Sequence, residues 1–108
     1  MKKGLSETCY RFFTNLSNPT RLAVLEHLLE KPMSVNELAN SLGQTQSMIS
    51  HNLKPLQQCN FVYVERRGKK RIYTVNQETL NAVFRVVENH ADRFCPTSGA
   101  CLKEDLRW

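Results

Sequence analysis

The chain has 108 residues, of which 41% are apolar, with four cysteines and a formal charge of +5. That length supports one domain with a modest core, and the ordinary apolar content argues against wholesale disorder. No apolar run is long enough to cross a bilayer, and Lys2 and Lys3 lead into no apolar leader segment, so a cytoplasmic chain with reduced thiols is expected.

Leu5, Cys9, Phe12, Phe13 and Leu16 recur at helical spacing and predict a first helix, with Cys9 on its apolar face as a core residue. Asn18 and Pro19 separate it from a second helix, Asn18 as the cap and Pro19 at the first helical position. Leu22, Leu25, Leu28 and Leu29, with Ala23 and Val24, make that helix the expected hub of the core, and Pro32 closes it. Ser34 and Glu37 then form a Ser-x-x-Glu capping box, which starts a third helix with Val35, Leu38, Ala39 and Leu42 on one face. Gly43 ends it, since glycine accepts the left-handed backbone favoured at a helix exit.

Thr45 can cap a fourth helix whose apolar stripe is Met48, Ile49, Leu53 and Leu56. Away from that stripe stand Gln46, Ser47, Ser50, His51 and Lys54, which are small or hydrogen-bonding residues rather than a solvated Glu/Lys mixture. Two helices joined by so short a glycine-bearing turn suggest a helix-turn-helix. Two β-rich runs follow, Phe61–Val64 and Ile72–Val75, around a segment with glycine in its turn and cations at Arg66, Arg67, Lys69, Lys70 and Arg71. Leu80, Val83, Phe84, Val87, Ala91 and Phe94 mark a long last helix from about Glu78 to Phe94. Pro96 and Gly99 break it, which leaves residues 1–94 as the folded domain and 95–108 as an irregular, cysteine-containing tail.

From Gln44 to Val75 there are six cations against one acid, whereas the remainder has nine of each. The whole net charge therefore sits on the fourth helix and the hairpin, the electrostatic footprint of a polyanion partner. The bland alternative, a solvated basic turn, is weakened by its adjacency to a polar helix face. The expected architecture is mainly α with a small β-hairpin: a winged helix-turn-helix in the order α-α-α-α-β-β-α. Its partner is double-stranded DNA. The aromatic surface of the first and last helices exceeds what a small core covers, so a homodimer through those two helices is also expected.

These residues resemble the ArsR/SmtB family of dimeric winged-helix repressors. LSNPTRLAVLEHLL is similar to that family's second-helix signature, QSMISHNLKPL to its recognition helix and FVYVERRGKKRIYTV to its wing. The resemblance spans about Tyr10 to His90. It implies a repressor that occupies an operator and leaves it when an inducer binds. It also places base reading at Gln46, Ser47, Ser50 and His51, with Lys54 on the same surface and Arg66, Arg67, Lys69, Lys70 and Arg71 on phosphates. Glutamine pairs with adenine and serine with several base edges, while lysine and arginine add salt-dependent affinity. Pro55 departs from the pattern, because it removes the N–H that would bond the His51 carbonyl, and a kink is expected there.

The family's inducer sites are only partly present. The third-helix thiol site lacks cysteines around Ser34, and the last-helix metal site would fall on Gln77, Thr79, His90 and Arg93, where only His90 is a suitable ligand. His90 therefore reads as an ordinary surface or interface histidine. Thiol chemistry elsewhere remains open: Cys59 matches one of two cysteines of the family's cadmium/lead sensors, the other falling on Pro55. Such sites are completed from the C-terminal tail, where Cys95 and Cys101 lie. No cofactor is obligatory, and soft thiolates would select As(III), Cd(II), Pb(II), Zn(II) or Cu(I) as an inducer. A reversible disulfide or polysulfide switch, a repressor without an effector, and a buried Cys59 with no ligand are the alternatives. Cys95-Pro-Thr-Ser-Gly-Ala-Cys101 also resembles the cysteine loop of small phosphatases, but cysteine stands where that loop needs arginine, so an enzyme is not expected. RNA binding lacks its aromatic platform.

Overall fold

The structure is a computed structural model that describes residues 4–95. Backbone contacts divide the chain into two units, Met1–Gln77 and Glu78–Trp108. The first unit opens with two short helices, α1 (Leu5–Thr8) and α2 (Tyr10–Leu16). The single first helix expected from the spacing is interrupted at Cys9, whose φ of −129° and ψ of 27° leave the helical region. Cys9 is exposed rather than core, because the break turns it off the face that Phe12 and Leu16 share.

Helix α3 (Pro19–Glu30) begins as its sequence requires: the Asn18 side chain accepts from the Arg21 N–H at 3.1 Å, with Pro19 at the first turn. A cap of this kind is worth about 1 kcal/mol. Val24, Leu25 and Leu28 are buried, which makes α3 the hub. A two-residue strand that the hydrophobic pattern does not signal, β1 (Met33–Ser34), precedes α4 (Val35–Leu42). Ser34 thus serves twice, as a strand residue and as the cap of α4. Its side chain accepts from the Glu37 N–H at 3.2 Å, and its own N–H donates to the Glu37 carboxylate at 3.0 Å. Those backbone and hydroxyl bonds to Ser34 hold the Glu37 carboxyl below its ordinary range.

Gly43 ends α4 at φ +64°, where a side chain would strain the backbone. Helix α5 (Gln46–Gln58) follows, with the Thr45 side chain accepting from the Met48 N–H at 3.1 Å. It continues through Pro55 to Gln58, so the ladder bond lost at the His51 carbonyl does not end it. The hairpin comprises β2 (Val62–Arg67) and β3 (Lys70–Val75), antiparallel from Val62↔Val75 to Arg67↔Lys70. The strands are longer than the apolar runs that announced them, since the pairing carries the cations into the ladder and leaves only Gly68 and Lys69 to turn. With β1 paired to β3 through Met33↔Tyr73 and Ser34↔Ile72, the sheet has three strands in the order β1-β3-β2. Phe61 ties the layers together: its ring meets Phe12 edge-on at 5.0 Å, its N–H donates to Leu56 and its carbonyl accepts from Asn76.

The second unit carries all but the first residue of α6 (Gln77–Phe94), an amphipathic helix with Leu80 buried and Val86, Val87 and Phe94 exposed. The expected tail beyond Cys95 lies outside the described residues.

Candidate nucleic-acid interface

Helix α5 has two unlike sides. Ile49, Asn52, Leu53 and Leu56 are buried against the rest of the first unit, while Gln46, Ser47, Ser50, His51 and Lys54 are all exposed. Met48, expected within the apolar stripe, is instead 46% exposed. It sits on the flank of the stripe, its N–H donating to the Thr45 side chain. The exposed face of α5 therefore includes one large apolar side chain. Gln46 is not free-standing, since its side-chain amide donates to the Asn36 side chain on α4.

The wing supplies charge in an unusual arrangement. The register sets Arg66 directly opposite Arg71 and Arg67 opposite Lys70. Like charges at directly opposed positions oppose pairing, and a turn of two residues leaves little slack to separate them. Arg67 pairs with Glu65 at 3.2 Å, both well exposed, and Lys70 lies within electrostatic reach of Glu37. The hairpin therefore holds four further exposed cations together at a cost that a polyanion would relieve.

Beneath the exposed face of α5 is a polar network that the hydrophobic pattern misses. Asn52 occupies the buried stripe of α5, where its Nδ2 donates to the Met48 carbonyl at 2.9 Å and its Oδ1 accepts from Arg21 Nε at 3.1 Å. The other end of that guanidinium donates to Asn15 Oδ1 at 3.2 Å. Asn15 Nδ2 lies 2.7 Å from Cys59 Sγ and 3.4 Å from the Pro55 carbonyl. One sequence signal was available: an asparagine amid Ile49, Leu53 and Leu56 breaks an otherwise apolar face.

The family model described as "Bacterial regulatory protein, arsR family" matches residues 18–64, the stretch from the α3 cap to the middle of β2. An uncharacterized HTH-type transcriptional regulator of Mycobacterium tuberculosis, Rv0081, is 33% identical over 107 residues, covering 94% of this chain and 93% of its own. This chain belongs to the arsR family of bacterial regulatory proteins. The crystal structure of Rv0081 superposes with a TM-score of 0.79 at 27% identity, covering 91% of this chain and 99% of that one. A homodimeric winged helix-turn-helix DNA-binding domain of Mycobacterium bovis, Mb0332 fragment 1–100, gives a TM-score of 0.73 at 27% identity, over 82% of each chain. A probable mercury resistance operon repressor of Streptomyces lividans is 36% identical over 69 residues, 64% of this chain and just 55% of that one.

As an arsR-family winged helix-turn-helix, the chain is a DNA-binding transcriptional regulator and not an enzyme. Its cysteines are placed unevenly. Cys59 and Cys95 are half-buried, Cys9 is exposed, and Cys101 lies outside the described residues. Among the described residues no three His, Cys, Asp or Glu side chains gather where they could hold a metal. His90 is exposed with its ring 5.1 Å from Phe94, as a surface histidine would be. No described helix is long and apolar enough to cross a membrane.

Proposed function

We propose that this regulator represses transcription as a homodimer, each protomer seating α5 in the major groove of an operator half-site. Ser47, Ser50, His51 and Gln46 read base edges, while Lys54 and the wing cations Arg66, Arg67, Lys69, Lys70 and Arg71 contact phosphates. The observation that carries this reading is the two-sidedness of α5, a polar exposed face backed by a buried one, beside a hairpin whose opposed cations lack enough partners. Exposed aromatic residues on the first helices and the homodimeric Mb0332 domain support the dimer.

The inducer part of the proposal is a thiophilic ion, As(III), Cd(II), Pb(II) or Zn(II), taken by Cys95 and Cys101 with Cys59. The support is chemical: soft thiolates suit such ions, and the S. lividans relative is described as a mercury resistance repressor. Cys59 and Cys95 alone make no three-donor set, so the ion depends on Cys101.

The test is selection of a duplex from a random-sequence pool by the reduced protein, followed by titration of the complex with As(III), Cd(II) and an oxidant in separate arms. A two-fold related sequence should be selected. His51→Ala should cost about 1–3 kcal/mol on that duplex and little on random DNA. Cys95→Ser with Cys101→Ser should hold the selected duplex as before yet ignore As(III) and Cd(II). Selection of no sequence removes the base-reading assignment, and release that survives the double substitution, or occurs with oxidant alone, removes the metal.

A further inference from the structure

Resting on the DNA reading above, we infer that Asn52 is a specificity-determining residue that never reaches DNA: with Arg21 and Asn15 it forms a latch that sets the pose of the reading helix. Apolar contacts at Ile49, Leu53 and Leu56 hold α5 close to the core, but such contacts are non-directional and tolerate rotation and sliding. Base reading does not tolerate them, because hydrogen bonds to base edges weaken steeply once the donor angle or distance drifts. A directional tie is therefore needed on the buried side, and the network supplies one.

Its geometry fits the task. Asn52 is 4% exposed, in a helix whose other buried positions are all aliphatic. Its amide is engaged at both ends, with Nδ2 donating to the Met48 carbonyl within α5 and Oδ1 accepting from Arg21 Nε on α3. Having its donor occupied fixes the side-chain rotamer, so the acceptor faces Arg21 in one orientation only. The guanidinium is planar, and its Nη1 donates to Asn15 Oδ1 on α2. Asn15 in turn touches α5 one turn further on, at the Pro55 carbonyl and Cys59 Sγ. Helix α5 is thus gripped at two points along its length, Asn52 and Pro55–Cys59, through one arginine and one asparagine. Two points of attachment fix both rotation and axial position, whereas one would leave a pivot.

An aliphatic residue at position 52 would complete the apolar stripe. Buried polar groups of this kind contribute register more readily than stability. Arg21 is only half-buried, so on losing Asn52 it can turn to water and leave the fold intact. The same latch lies between α5 and α2, one of the helices assigned above to the dimer. It consequently bears on how the two reading helices of a dimer are set relative to one another, which a paired half-site measures.

The experiment compares the duplex selected by the unaltered protein with a random duplex of equal length, by fluorescence anisotropy at two salt concentrations, and reads the ratio of the two affinities. Asn52→Leu should lower that ratio roughly tenfold, with random-duplex affinity, salt slope and dimer content within about twofold of the unaltered protein. Asn52→Asp, which keeps the acceptor for Arg21 but loses the donor to the Met48 carbonyl, should restore part of the ratio. A residue with a merely structural role would not be rescued in this way. Arg21→Lys cannot fork to both asparagines and should match Asn52→Leu, while the two together should lose no more than either alone. The latch is refuted if the ratio survives Asn52→Leu, if Asn52→Asp restores none of it, if the two losses add, or if affinity for both duplexes falls together. If the unaltered protein selects no duplex, the DNA reading fails first and the latch falls with it. Loss of folding in Asn52→Leu would show in its thermal melt and would itself count against a positioning role.

Discussion

At the scale of single residues, most of what matters here is how polar groups are satisfied. Glu37 is an example with a pH consequence. Folding gives its carboxylate the Ser34 N–H and hydroxyl as partners, and the carboxyl lies below its ordinary range as a result. The folded chain therefore binds that proton less readily than the unfolded chain does. The capping box stabilises fully above the ordinary glutamate range, and its contribution is lost as pH falls through the lowered value. Glu37→Gln, which keeps the hydrogen bond but not the charge, should lower stability near neutrality and flatten its decline with acid, as followed by urea melts across the carboxylate range. An identical acid limb in both proteins would show that the box contributes nothing through ionisation. The capping box was legible in the sequence, because Ser-x-x-Glu is a local pattern with a local cause. The Arg21–Asn52 pair was not, because 31 positions separate its members and a lone arginine looks like any other surface cation.

Elements show the same division between local and distant causes. The helix-turn-helix was readable from its caps and stripe, and the hairpin from its β-branched runs and glycine. The extent of the hairpin was not readable, since pairing register rather than composition carried Arg66, Arg67, Lys70 and Arg71 into strands. Strand β1 escaped for a related reason: two residues carry no period, and only their partners on β3 define them as a strand. The first helix was misjudged because its apolar spacing continues through Cys9 although the backbone does not. The wing makes a two-signed prediction. Arg66→Ala, or Arg71→Ala, relieves a like-charge pair and should raise the stability of the free protein by a few tenths of a kcal/mol at low salt. The same substitution should weaken binding to every duplex and reduce the salt slope by about one. Stability and binding moving in opposite directions would identify the repulsion as one retained for a ligand; a fall in both would make those arginines structural.

For the whole molecule, the remaining question is what covers the apolar surface of its outer helices. Leu5, Tyr10 and Phe13 on α1 and α2, and Val86, Val87 and Phe94 on α6, are large and exposed. Phe13 is 58% exposed, and its one ring neighbour among the described residues is Phe12, at 5.3 Å. A single-chain core does not need it. Phe13→Glu should therefore leave the far-ultraviolet spectrum intact while shifting sedimentation equilibrium toward monomer and weakening operator binding by at least about tenfold, since a monomer grips one half-site. An unaltered dimer would move the assembly surface away from α2. Surplus apolar surface was visible from composition and spacing alone, because burial capacity scales with chain length.

The double duty of Ser34 constrains any redesign of the DNA-reading parts. Its backbone runs beside Ile72, while its side chain fastens the start of α4. Trimming or transplanting the whole hairpin would remove the strand against which Ser34 pairs, at the very residue that caps α4. Grafts that seek a new sequence preference should splice beyond Ile72, exchanging only the stretch from Arg66 to Arg71.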